Sequence, residues 1–455
     1  MNVLPPELIT SLQNVPGFNE TAFKNVHESG EQITSIRINP AKAFDPESHF
    51  TSVEKIPWSS SGYYLKNRPS FTSDPLFHAG TYYVQEASSM FLEEVIRQTC
   101  DLTQSLKVLD LCAAPGGKST LVQSIISSDS LLVSNEVIKT RVNALVNNIT
   151  KWGGANVIVT NNDAKDFQRL PAFFDVIIVD APCSGSGLFR KNNEAISEWS
   201  INNVELCSQR QQRILADVLP ALKEGGTLIY STCSYSEKED ENIADILSGE
   251  FDVSSIRVSV KNDSGITETK SPLQNCFGYR FYPDKLKGEG FFIAVFRKNG
   301  ILSSPVSTKK IKDIQIKSSE AEIIFPWLKN GEKYSFIKQN ENILAIPEPL
   351  LRDLYEIQRT LYIKKAGVEL GTLIRDELIP SHDVAVSNLL SDKILAIHVT
   401  LQTALDYLRK KDIVISGAQK GWATINYAGH ALGLIKILPG RANNYYPKEL
   451  RILNK

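Results

Sequence analysis

Two cysteines stand where chemistry could be done. Cys183 follows the apolar part of the run Phe174-Asp175-Val176-Ile177-Ile178-Val179-Asp180-Ala181-Pro182-Cys183-Ser184-Gly185-Ser186-Gly187, and Cys233 that of Thr227-Leu228-Ile229-Tyr230-Ser231-Thr232-Cys233-Ser234. Both runs are apolar enough to be central parallel strands, so both thiols are expected at the carboxyl edge of one sheet, where open α/β sheets bind ligands. Such a pair suits cytosine. Its carbon 5 is too weak a nucleophile to take a methyl group directly, so a thiolate must first add to carbon 6 and make carbon 5 enamine-like. A base that breaks down the adduct is then required. Asp180 could hold the cytosine at its N3 and N4 edge and stabilise the charge that develops as sulfur adds. Pro182 fixes the backbone beside Cys183, and Thr232 does so more loosely beside Cys233. Which thiol is the nucleophile stays open at this level. Cys100, Cys112, Cys207 and Cys276 read as small buried hydrophobes, and no C-x-x-C spacing suggests zinc or a disulfide framework.

The element that must position these groups is Val108–Thr120, V-L-D-L-C-A-A-P-G-G-K-S-T. It reads as a strand, a tight glycine turn and a helix N-terminus, with Leu121, Val122, Ile125 and Ile126 at helical spacing. Neither G-x-G-x-x-G nor G-x-x-x-x-G-K-[ST] is present, which disfavours a nucleoside triphosphate. A nucleoside ligand without phosphate, S-adenosylmethionine, suits the shorter turn. A second strand, Leu131–Asn135, delivers Glu136 about 20 residues beyond the turn, where a carboxylate accepts bonds from ribose hydroxyls. A third, Asn156–Thr160, delivers Asp163 to a place where an adenine amino group could be met.

Other segments are less committed. Residues 1–60 look like a small leading module, with Arg37 and Asn39 on a solvated strand face. Ser88 or Ser89 is expected to cap a helix. A long helix is expected over Val204 to Leu222. Ser236-Glu237-Lys238-Glu239 has the spacing of a capping box. Tyr279–Tyr282 and Gly290–Phe296 read as an antiparallel closing pair. Residues 301–320 read as a polar, basic linker between a domain at 61–300 and another at 321–455.

Composition narrows the classes. With 455 residues, 42% hydrophobic and 22% charged, the chain is an ordinary globular protein of about three domains. Its net charge of -1 gives no global sign of a nucleic-acid partner, but from residue 301 onward there are 22 Lys and Arg against 16 Asp and Glu. Basics interleave there with aromatics (Lys420, Trp422, Tyr427, Lys436, Arg441, Tyr445, Tyr446, Lys448, Arg451), a usual means of holding RNA. The absence of a basic leader or a long apolar span at Met1–Glu7 and beyond leads us to expect a cytoplasmic protein with no membrane or metal.

The motifs L-C-A-A-P-G-G-K, N-E, D-A-P-C-S-G-S-G and S-T-C-S-Y-S, in this order, resemble the RNA (cytosine-5) methyltransferases, the family of RsmB, RsmF and the NSUN proteins. The resemblance spans residues 30–300. It implies a seven-stranded, Rossmann-like α/β core dependent on S-adenosylmethionine, with a small N-terminal module. It implies Cys233 as nucleophile and Cys183 as the residue assisting product release. It also implies that Cys112, Ala113, Ala114, Pro115, Gly116, Gly117 and Lys118 cradle the cofactor's methionine part, Glu136 its ribose and Asp163 its adenine. Asp180 would lie between cofactor and base, and Arg141 would support the cofactor acid. Gly421-Trp422, Tyr427-Ala428-Gly429, Leu432-Gly433 and Tyr446-Pro447-Lys448 are similar to the tail of RsmF-type enzymes, which implies a PUA-like RNA-binding domain and 16S rRNA or the small ribosomal subunit as partner of a monomer. The tail departs from N-H-Y-P in reading Asn444-Tyr445-Tyr446-Pro447. Two other readings share these features: a cytosine-5 methyltransferase acting on tRNA, and a non-catalytic RNA-binding ribosome assembly factor. N-methylation of an exocyclic amine would need Pro-Pro and an aromatic after Asp180 and leaves Cys233 without a role.

Overall fold

The computed structural model describes residues 4–300, 315–415 and 417–453. Five parallel strands form its centre, in the lateral order Leu222–Thr232, Phe174–Asp180, Lys107–Asp110, Leu131–Asn135 and Val157–Thr160. They are apolar on both faces because helices cover both. Val108, Leu132 and Ile178 pack under Leu121 and Val122 of helix Gly117–Ile125 and under Val142 and Leu145 of helix Lys139–Trp152. Leu109, Val133 and Ile177 pack under Leu215 and Val218 of helix Ile201–Val218. That helix starts three residues earlier than expected and ends before Pro220, where a short 3-10 turn leads into the next strand.

Chain order places the crevice. From Lys107–Asp110 the chain adds two strands on one side, then crosses to add Phe174–Asp180 and Leu222–Thr232 on the other. The order therefore reverses between the glycine-turn strand and the Asp180 strand, and their carboxyl ends open a ligand crevice.

The sheet has ten strands rather than seven. Phe291–Lys298 and Phe277–Phe281 make the expected antiparallel pair, but Thr267–Lys270 and Val253–Ser255 extend it. At the opposite edge Ile363–Ala366, from the C-terminal part of the chain, pairs antiparallel with Val157–Thr160. A bare parallel edge would leave its hydrogen-bonding groups unpaired, and the borrowed strand covers it.

Domain limits differ from the sequence expectation for related reasons. The N-terminal sheet does not stop at residue 60: Thr34–Ile38 pairs with Gly62–Leu65 on one side and Tyr82–Val84 on the other. Residues 301–314 of the expected linker lie outside the described residues, whereas Gln315 already bridges Ile337 and Ser318–Ile324 is helical. The segment beyond forms two four-stranded sheets, Tyr334–Gln339 to Glu377–Pro380 and Leu395–His398 to Arg441–Asn444.

Arg37 and Asn39 are buried, not solvated. The Arg37 guanidinium donates to Gln85 Oε1 (2.8 Å), Thr120 Oγ1 (2.6 Å) and Ser124 Oγ (3.2 Å), and lies over the Trp152 ring. It fastens the N-terminal sheet to the helix after the glycine turn. Asn39 donates to Gly80 O and Trp152 O at the same seam. Neither serine near residue 88 caps a helix: Ser88 Oγ donates to Glu289 O, and the Glu86 carboxylate accepts the amides of Ser88 and Ser89.

A single ammonium ties the three regions together. Lys42 Nζ donates to Ala79 O (2.6 Å), Lys151 O (2.6 Å) and Val386 O (2.8 Å), carbonyls in the last turns of helices Pro75–Ala79, Lys139–Trp152 and His382–Val386. Cations are favoured at helix C-termini, and here three ends share one. Lys42→Met is therefore expected to cost about 3 kcal/mol, because it leaves buried carbonyls without a donor. Urea unfolding measures this; wild-type stability in the variant would mean the three ends find other partners.

Candidate active site

The glycine turn folds as its residues require. Gly116 takes a left-handed φ of 114°, which a side chain would resist, and Thr120 N closes the first helical bond onto Gly116 O. The amides of Gly117, Lys118 and Ser119 open the helix and have no acceptor within it. Asn135, at the end of the next strand, anchors the turn: its side chain donates to Leu111 O and to Asn162 O and accepts from Asn162 N. One buried amide thus joins the turn to the loop carrying Asp163.

Glu136 is buried with Oε1 accepting from Ile138 N (2.9 Å), while Oε2 has Arg141 Nη1 at 3.3 Å but no hydrogen bond. Arg141 also donates to Ala114 O (2.5 Å). A buried carboxylate oxygen with free lone pairs beside a glycine turn fits a ribose hydroxyl, so this donor set accommodates an S-adenosylmethionine nucleoside. Asp163 caps the short helix Ala164–Arg169, where Oδ1 accepts from Lys165 N. Only part of its carboxylate is left for a ligand. Cys112 sits half-buried in the turn, and burial, with Asp110 and Asp180 nearby, raises its thiol pKa.

Asp110 ends the first strand and was not singled out by spacing. It is fully buried, with Oδ2 accepting from Ser119 Oγ (2.6 Å) and Oδ1 unpartnered. Burial, helped by the charges of Asp180 and Glu136 and opposed by the Ser119 bond and Lys118, pushes its carboxyl up to about 7. An acid whose folded pKa is raised favours the fold below its unfolded pKa and loses that advantage as pH rises through the folded value. Wild-type stability should therefore fall relative to Asp110→Asn by about 2–3 kcal/mol between pH 5 and pH 8, read by urea unfolding at both. A parallel pair of curves would show that Asp110 is ionised across that range.

On the other side of the crevice, Lys118 Nζ pairs with Asp180 Oδ2 at 2.8 Å, and Asp180 Oδ1 accepts from Ser231 Oγ at 2.8 Å. Burial works to lower the Lys118 ammonium pKa, but Asp180 and Asp110 outweigh it and hold it above its usual value. The two cysteines meet here. Cys183 Sγ and Cys233 Sγ are 3.0 Å apart. The hydrogen bond to Cys233, then burial and the negative charge of Glu239, hold the Cys183 pKa well above that of a free thiol. Two thiolates at this distance would repel, which opposes ionisation of Cys183 while Cys233 is beside it.

Glu239 joins the two loops that carry these thiols. The expected capping box does not form: helix Glu241–Glu250 begins later, and Glu239 turns inward. Its Oε2 accepts from Ser184 Oγ (2.5 Å) and Ser234 Oγ (2.6 Å), and its Oε1 from Ser184 N (2.8 Å) and Gln211 Nε2 (3.2 Å). The serine after each cysteine is thus held by the same carboxylate. Beneath it, Thr232 Oγ1 donates to Asp240 Oδ1 (2.6 Å), and the buried Arg280 pairs with Asp240 (3.2 Å) and with both oxygens of Glu241. The loops also interlock through their backbones. Gly187 N donates to Cys233 O (2.8 Å), and a Cβ at Gly187 would lie 2.7 Å from that oxygen. The serines beside the cysteines were the available signal for this clamp.

The C-terminal aromatic and basic residues divide. Tyr446 is core, against Tyr407 and His382. Trp422, Lys436 and Tyr445 form one cluster, with Trp422 Nε1 and Lys436 Nζ both on Glu377. Among the described residues no helix is long and apolar enough to cross a membrane, and no group of His, Cys, Asp and Glu could hold a metal ion.

The chain is similar to known proteins along most of its length. Residues 98–297 match the model for 16S rRNA methyltransferase RsmB/F, residues 4–87 the N-terminal domain of 16S rRNA methyltransferase RsmF, and residues 395–452 the methyltransferase RsmF PUA domain. Ribosomal RNA small subunit methyltransferase F of Aeromonas salmonicida is 30% identical over 421 residues, covering 87% of this chain and 85% of that protein. The protein of the same name from Shewanella piezotolerans is 29% identical over 440 residues, covering 91% and 90%. A methyltransferase homolog from Pyrococcus horikoshii superposes with a TM-score of 0.52 at 27% identity, over 65% of this chain and 100% of that one. NSun6 from the same organism, solved with SFG, shares the fold (TM-score 0.54, 18% identity, 66% and 100% coverage).

Proposed function

Because the chain belongs to the RsmF family of 16S rRNA methyltransferases, we propose that it methylates carbon 5 of a cytosine in small-subunit rRNA through a covalent Cys233 intermediate. The observation that carries this reading is the pair of thiols at the ends of adjacent parallel strands, 3.0 Å apart and beside the Lys118–Asp180 pair. S-adenosylmethionine supplies an electrophilic methyl group when bound.

The chain's own residues do the rest. The target cytosine leaves its stack to enter the crevice, since its reacting carbons are inaccessible in a helix. Cys233 sulfur adds to carbon 6, and the displaced electron pair moves onto the N3 side of the ring. Asp180 faces the N3 and N4 edge there, with Lys118 keeping its charge balanced. After carbon 5 has taken the methyl group, its proton passes to the Cys183 sulfur while the Cys183 proton moves to the departing Cys233 sulfur, so that the sulfur–carbon 6 bond breaks and both thiols are restored. Cys183 serves this release: burial and its hydrogen bond hold it as a thiol beside the leaving sulfur. On the cofactor side, Glu136 receives the ribose hydroxyls, Arg141 orients Glu136 and the turn, Cys112 to Lys118 line the methionine part and Asp163 faces the adenine.

We take the chain to act as a monomer, since one copy carries every group this reading uses, and ribosomal RNA as substrate supports a cytoplasmic place of work. The test is methyl transfer from labelled donor to purified 16S rRNA, small subunits and tRNA, with bisulfite mapping of the product. A single 5-methylcytosine in small-subunit rRNA is expected. Methylation of tRNA alone would move the substrate, and cofactor binding without transfer to any RNA would favour an assembly factor.

A further inference from the structure

Three apolar side chains stand in solvent around the outer corner of the crevice. Val137 and Ile138, directly after Glu136, are 54% and 48% exposed, and Tyr362 is 60% exposed. Single exposed apolar residues are ordinary, but these share one corner, and one residue joins them. Asn161 N donates to Tyr362 O (3.1 Å), while its side-chain amide donates to Val137 O (3.1 Å) and Glu136 O (2.6 Å). Asn162 grips Tyr362 as well, donating to its carbonyl (3.1 Å) and accepting its amide (3.0 Å).

Tyr362 comes from the C-terminal part of the chain. It immediately precedes Ile363–Ala366, and Ile363 pairs with Thr160, the last residue of the strand that leads to Asp163. Ile363 packs into the hydrophobic core, so on an extended backbone the neighbouring Tyr362 ring belongs to the opposite face. Lys364 Nζ stands 4.8 Å from that ring. An aromatic ring from outside the parallel core is therefore delivered to the strand end where Glu136 and Asp163 converge.

We propose that Tyr362 and Val137 are the apolar walls of the adenine end of the cofactor site, so that the C-terminal region completes the pocket. A purine has a polar edge and two apolar faces. The corner offers the matching chemistry, with a carboxylate at Asp163 for the edge and Val137 and Tyr362 for the faces. The borrowed strand then does more than cover a sheet edge: it makes cofactor affinity depend on a segment outside the parallel strands that carry the reacting groups.

This inference rests on the cofactor placement proposed above, and the experiment separates the two. Calorimetric titration of S-adenosylhomocysteine into the full chain compares wild type, Tyr362→Ala, Tyr362→Phe and Glu136→Ala. Tyr362→Ala should bind about tenfold more weakly, the usual cost of removing one base–aromatic stack. Tyr362→Phe, which keeps the ring, should stay within about twofold of wild type. Because the ring is solvent-exposed, thermal unfolding without ligand should be unchanged. Wild-type affinity in Tyr362→Ala with weakened Glu136→Ala overturns this inference alone. Wild-type affinity in both overturns the cofactor placement with it. A loss in Tyr362→Phe equal to that in Tyr362→Ala would overturn the stacking role, as would weaker RNA binding by Tyr362→Ala at unchanged cofactor affinity.

Discussion

Cys183→Ala, incubated with small-subunit rRNA and S-adenosylmethionine, is expected to stall as a protein–RNA adduct that survives denaturing electrophoresis. Cys233→Ala and the double variant should form none, and methyl transfer by Cys233→Ala should fall by a factor on the order of 10⁴ or more, as when other enzymes lose a covalent nucleophile. The asymmetry follows from the site. The Cys183 thiol is held protonated by its bond to Cys233, by burial and by Glu239. On the proposed reading this is the thiol that serves release. Removing it leaves addition possible and breakdown slow. An adduct only in Cys233→Ala would reverse the two roles. Absence of any adduct, with activity retained in Cys233→Ala, would overturn covalent catalysis.

Glu239→Ala should have the next largest effect, although this carboxylate acts only through its neighbours. It accepts four hydrogen bonds, three of them from the serines that follow the two cysteines. Losing them releases both thiol-bearing loops, and a displacement of about 1 Å in reacting groups can cost roughly 100-fold in rate. We expect kcat to drop about 100-fold with KM for RNA little changed, and stability to fall by about 2–3 kcal/mol from the orphaned donors. In a Cys183→Ala background the same change should slow adduct formation without weakening RNA binding. A purely structural residue would lower stability and leave the adduct rate of the folded fraction untouched, so that result would remove the positioning role. Glu239→Gln, which keeps one acceptor oxygen, should fall between.

Much of the site was legible because its signals are local. Strand-ending acids and cysteines follow from runs of apolar residues, and the glycine turn follows from residues too small or kinked to continue a strand. Parallel strands of one sheet end at one edge, so Cys183 and Cys233 could be expected to share a crevice, although residue types did not say which would attack. Asp110, Asn135 and Glu239 were missed or misassigned for a common reason. Each is a polar residue whose partners lie far away in the chain, so local spacing gave Glu239 a helix cap while its actual ligands are Ser184, Gln211 and Ser234.

Arg37, Asn39 and Lys42 show the same limit at the scale of domains. Alternation predicts a solvated face for the first two, since a charge or amide is usually left in water. Only packing of the N-terminal sheet on the helix after the glycine turn supplies enough acceptors to bury them. The ten-stranded sheet is a further instance, because Ile363–Ala366 joins a strand some 200 residues earlier, a pairing with no local signature. The sequence by itself determined the α/β class, the two thiols proposed to react and the edge at which they gather, through short-range periodicity and residue chemistry. Tertiary structure alone decided the 3.0 Å between the thiols, the burial of the charges that support them and the place of Tyr362 against the loop that carries Asp163. Hydrogen bonds between distant segments set all three, and they exist only once the segments have packed.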